Sequence, residues 1–150
     1  MESLFEPDEV ELVKQRILRL TPQSPKQWGT MGVSQALAHC SAGLQMAMGE
    51  IRPPRSLIGR IVGPLVKPLA LKDREPLRRN SPTAKALLVS EERDFYAEQE
   101  KICTLIDRFA SLGPAGCTRH AHAFFGVLTP QEWSKLMHKH LDHHLRQFGA

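Results

Sequence analysis

A chain of 150 residues with 41% hydrophobic content has the size of one globular domain, 1–150, and enough apolar side chains to bury a core. Aromatic content is low at 6% and helix-forming residues recur in long stretches, so the expected class is all-α. The net charge of +4 would suit an acidic partner, but the basic residues between Arg52 and Arg79 alternate with proline and apolar residues and no aromatic side chains interleave with them. Neither a nucleic-acid nor a membrane partner is therefore expected.

The first segment, "EPDEVELVKQRILRLT", places Val10, Val13, Ile17 and Leu20 on one face and opens on Pro7 and Asp8, which predicts a first helix ending before Pro22. Its acidic start lacks the basic and apolar run of a secretory signal, so a cytoplasmic setting is expected. A loop follows, and "VSQALAHCSAGLQMAMGE" carries the stripe of a second helix. Residues 52 to about 83 are rich in proline and read as an irregular crossover with one short helix around Ser56 to Val62.

A third long helix is expected from Ser81, with Pro82 in its first turn, to a stop at Gly113. Thr129, Pro130 and Glu132 predict the cap, first position and first-turn acid of a fourth. The expected fold is a four-helix bundle with a long irregular crossover between its second and third helices. Cys40, Cys103 and Cys117 are odd in number and show no CxxC spacing, which suits free thiols.

The last helix contains "HKHLDHH". At roughly 100° per residue, Met137, Leu141, Leu145 and Phe148 share one side with Trp133, and His140 and His144 fall within about 20° of Trp133. His138 and His143 fall on the shoulders as solvated flanks. Two imidazoles one turn apart can both donate nitrogen to one divalent ion, and a bundle would supply a third ligand from a facing helix. His39 is the first choice, because the shoulder beside it, Ala36, Gly43 and Ala47, is made of small residues. Cys40, His120 and His122 are rivals.

With a histidine in the second helix, an irregular crossover and HxxxHH in the last helix, the chain resembles the DinB-like (DinB/YfiT) superfamily, all-α four-helix bundles with a three-histidine metal site. "QWGTMGVSQALAHC" and "AHAFFGVLTPQEWSKLMHKHLDHHLRQFG" are similar to a bacterial branch of unknown function, although Ala123 stands where that branch has proline. The resemblance implies metal ligands at His39, His140 and His144. It also implies a divalent ion, zinc or nickel first and iron or manganese next. The activity implied is transfer of a low-molecular-weight thiol to a small-molecule substrate, or hydrolysis. No general base is assigned: Glu50 and His122 are named only as groups that could approach a bundle mouth, and for His143 a solvated flank outweighs a supporting role. A homodimer, and the alternative of a non-catalytic interaction bundle with a vestigial site, complete the expectations.

Overall fold

The computed structural model describes residues 2–81 and 85–150 and is all-helical, with five α-helices and, among the described residues, no strands. They are α1 (Pro7–Arg19), α2 (Val33–Ala47), α3 (Leu57–Ala70), α4 (Phe95–Leu112) and α5 (Pro130–Gln147).

Sequence chemistry sets most of the ends. Pro7 opens α1 with Asp8 and Glu9 in the first turn and Arg16 and Arg19 in the last, the charge order that complements the helix dipole. At α5 the Thr129 hydroxyl accepts from the Glu132 backbone N–H (3.2 Å) while the Glu132 carboxylate accepts from the Thr129 N–H (2.8 Å), a reciprocal capping box.

Contacts along the helices fix their directions. Gln99 on α4 donates to the Ile17 carbonyl at the end of α1 (2.9 Å), and Phe5 before α1 stacks on Phe109 near the end of α4, so these two helices are antiparallel. Ser3 meets Ser134, Glu9 meets His138 and Arg16 meets Asp142, so α1 and α5 run the same way. Gln35 donates to the Glu91 carbonyl (3.2 Å) and Glu50 pairs with Arg108, so α2 and α4 are parallel too. Parallel neighbours need a connection that travels back the length of the helix, and residues 48–94, with α3 inside them, supply it. The core between α1, α2, α4 and α5 includes Val13, Ile17, Leu44, Ile102, Ile106, Phe109 and Trp133, none more than 1% exposed.

Two expectations about the crossover need correction. The short helix around Ser56 to Val62 starts on a Ser56 cap, which accepts from the Gly59 N–H (3.2 Å), but runs on to Ala70. Pro64 and Pro68 do not stop it, because both sit on its exposed side, where carbonyls left without a helical partner meet water. The helix expected from Ser81 starts at Phe95. Its predicted start at Pro82 lies outside the described residues, Lys85–Leu87 form one 3-10 turn, and the cap is Asp94, whose carboxylate accepts from the Ala97 N–H (2.7 Å).

α3 turns its glycine side toward the protein. A Cβ built on Gly63 would lie 2.1 Å from the Phe124 carbonyl oxygen and one on Gly59 2.7 Å from the Phe124 Cα, so only glycine permits this seat on the loop before α5. Leu57, Ile58, Ile61, Leu65 and Leu69, each between 61% and 79% exposed, form the outward stripe. No helix among the described residues is long and apolar enough to cross a membrane.

Candidate metal centre

His39 on α2 and His140 and His144 on α5 come together: one ring nitrogen from each lies within 4.8 Å of the others. The turn spacing on α5 places two of them, and the antiparallel crossing of α2 brings the third. His39 is 3% exposed, and His140 and His144 are partly buried. The three rings meet edge to face, with centroids 4.7–4.9 Å apart. Gly43 gives the room: a Cβ there would stand 3.0 Å from Nδ1 of His140. Gly43, one of the small residues on that shoulder of α2, is thus the floor on which the His140 ring rests.

Hydrogen bonds set the tautomers. His39 Nδ1 lies 2.7 Å from the Leu87 carbonyl, an acceptor, so Nδ1 carries the proton and Nε2 presents its lone pair. His144 Nδ1 lies 2.8 Å from Gln147 Oε1, and the Gln147 amide is oriented by donating from Nε2 to the Trp28 carbonyl (2.7 Å). Nε2 of His144 is therefore also bare. His140 Nε2 is 2.8 Å from His39 Nε2, a separation at which two lone pairs repel unless a proton or a cation lies between them. Imidazoles whose second nitrogen donates to a carbonyl are oriented and made more basic, the pattern found around bound metals.

Burial lowers the basicity of all three toward protons. Desolvation holds His39 below the ordinary histidine range against the opposing bond to Leu87. Desolvation and the neighbouring imidazoles hold His140 well below it, and desolvation takes His144 down to about 3. The rings are neutral across the physiological range, which is the form that binds metal. Among the described residues no carboxylate or thiol joins the cluster.

The other candidates lie elsewhere. Cys40 is fully buried in the apolar core, and burial pushes its thiol pKa up. His120 is exposed. His122 accepts at Nδ1 from the N–H groups of Phe124 (3.0 Å) and Phe125 (3.1 Å) and holds the loop before α5 in shape, its pKa lowered to about 4 by burial and by Arg55. Glu50 pairs with Arg108 at the far end of α2.

His138 is not a solvated flank. It is 7% exposed and bonds Glu9 of α1 (3.0 Å), because α1 packs on that shoulder of α5. His143 is half-buried too, edge-on to Trp28 with centroids 5.5 Å apart. The supports that single-residue reasoning missed are the Leu87 carbonyl, which no side-chain pattern reveals, and Gln147, whose position three residues after His144 was the available signal.

Fold and site together define an all-helical protein with a buried cluster of three oriented, neutral histidines able to hold a metal ion. The profile of the family described as Protein of unknown function (DUF1569) matches residues 5–150, and the chain belongs to that family. Neither curated proteins nor solved structures give a match.

Proposed function

We propose that this chain is a divalent-metal-dependent enzyme: a single DinB-like domain in which α1, α2, α4 and α5 form the four-helix bundle and His39, His140 and His144 are the metal ligands. One observation carries the reading. Two of the three rings commit their second N–H to a fixed oxygen, Leu87 or Gln147, and so aim bare Nε2 atoms at the centre of the cluster. An interhelical hydrogen bond would need only one such pair.

Three neutral nitrogen ligands leave positions open to substrate, unlike the closed shell of a structural site. The ion supplies a Lewis acid that lowers the pKa of a coordinated thiol or water. Nitrogen donors suit zinc or nickel first and accept iron or manganese. The protein's part is to hold the three rings neutral and to seat His140 on Gly43.

Transfer of a low-molecular-weight thiol to an electrophile fits better than chemistry on the protein's own sulfur. Burial raises the pKa of Cys103 and of Cys40, and takes Cys117 up to about 11, so none is a ready thiolate and the nucleophile must come from outside. Hydrolysis is the second reaction open to the same ligand set.

The test is metal per chain by elemental analysis on untagged protein purified without chelator, beside a His140→Ala, His144→Ala double variant. About one ion in the wild type and none in the variant supports the reading. A chain that carries no ion and takes up neither zinc, nickel nor manganese would make the cluster a packed helical seam in a non-catalytic bundle.

A further inference from the structure

A cavity of about 230 Å³ opens where the end of α2, the first residues of the crossover and the loop before α5 meet. Met46 and Trp133 form part of its wall, and each lies seven residues from a histidine of the cluster, His39 and His140. The cavity is thus two helical turns, about 10 Å along the axes, from the metal centre, and its chemistry is different.

Its polar lining is made of groups that can donate. Arg52 and Arg55 both face it, and neither makes an ion pair among the described residues. Arg52 has one weak bond, from Nε to the Gly49 carbonyl (3.3 Å), and Arg55 Nε–H is buried with no acceptor. Thr118 uses its oxygen to accept from the His120 N–H (3.1 Å), which leaves its hydroxyl proton to give, and the exposed His120 ring stands beside it.

Trp133, the largest fully buried side chain, is 0% exposed and its indole N–H also lacks an acceptor. Buried donors without partners are few in native proteins, and the two residues that carry these donors both border the cavity. The nearby carboxylate, Glu50, does not supply the missing partner, since it pairs with Arg108.

We propose that this cavity is an oxyanion site that takes a phosphoryl group, as free phosphate or as the end of a phosphomonoester. Two guanidinium groups are the usual receptors for such a dianion, through paired N–H donors. The volume is far above the roughly 10–15 Å³ that a single water requires, enough for a tetrahedral oxyanion with part of its hydration. The site accounts for a feature that the histidine cluster leaves unused, the arginines at the start of the crossover, and it lies against Trp133. It requires no metal.

The two tryptophans, Trp28 and Trp133, provide the test on the full-length protein. Their indole N–H signals are followed by ¹H–¹⁵N NMR at pH 7.5 during titration with inorganic phosphate, against sodium chloride at equal ionic strength. The expected result is a saturable shift of the Trp133 signal alone, with a millimolar dissociation constant, weakened at least fivefold by Arg52→Gln and abolished by Arg52→Gln with Arg55→Gln. Arg52 is exposed, so its single variant decides the matter if the double variant fails to fold. Tighter binding of phenyl phosphate than of phosphate would identify an ester as the occupant, and the reverse free phosphate. No saturable shift, an equal shift with chloride, a shift confined to Trp28, or binding unchanged in the Arg52 variant would overturn the proposal.

Discussion

Gly43 on α2 lies directly beneath the His140 ring, so close that a Cβ would stand 3.0 Å from Nδ1 and 3.2 Å from Cε1. Helix propensity and the proposed metal binding therefore pull in opposite directions at this position. Gly43→Ala gains up to about 1 kcal/mol of helix propensity, while the methyl pushes the imidazole away from the other two. The expected outcome is undiminished thermal stability in chelator with zinc affinity lowered about tenfold, the low end of what misplaced supports cost. Unchanged affinity would mean that His140 is not a ligand.

Gln147 is 3% exposed and joins His144 to the Trp28 carbonyl. Gln147→Leu keeps the volume but removes both bonds, freeing the His144 tautomer. Metal affinity should fall by about 10- to 100-fold, measured by competition with a chromogenic chelator, with the helical circular dichroism signal retained.

His138 and His144 stand six residues apart with opposite duties. His138→Gln should lower stability by about 1 kcal/mol through its bond to Glu9 and leave the metal content at wild-type level. His144→Gln should abolish stoichiometric metal. Loss of metal in the His138 variant would contradict the assignment.

Stability should fall as pH drops below about 6.5. His122 has its pKa lowered to about 4 in the folded chain, so between about pH 6.5 and 4 the unfolded state binds the extra proton and is favoured. The loss from this residue is on the order of 3 kcal/mol, complete near pH 4 and absent above pH 7. His122→Asn offers the two loop N–H groups an oxygen that does not titrate, and should make the urea midpoint fall less steeply in that window, the remaining slope coming from the buried His39, His140 and His144.

Gly63→Ala forces a methyl against the Phe124 carbonyl oxygen, where a Cβ would be 2.1 Å away. Overpacking of this kind costs roughly 1–3 kcal/mol. Hydrogen exchange should show α3 released first, with protection in α2 and α5 kept. Equal loss of protection throughout would tie α3 to the core.

The parts that could be read from residues alone were those governed by local chemistry. The α5 cap, the inward pair at His140 and His144 and the small-residue shoulder beside His39 all follow from spacing on a helix. What escaped depends on neighbours that a single helix does not specify. His138 counts as a flank until α1 is known to pack there. Ser81 and Pro82 have the look of a helix start, yet the Leu87 carbonyl is held by His39 and Asp94 caps the helix that follows, so residues between them are drawn across α2. Propensity named a boundary, and tertiary contacts moved it.

His39 and His140 are 101 residues apart in the chain. Bringing such distant points together costs conformational entropy of about 4 kcal/mol beyond a constant, from the logarithm of the loop length. An ion shared by the two helices would act as a removable cross-link over two thirds of the polypeptide, restricting the unfolded chain as a long-range disulfide does without needing an oxidising compartment. The histidine cluster would then have a value separate from chemistry. Loading it would slow unfolding and resist proteolysis, and a cell short of the metal would clear this protein faster than one that has it.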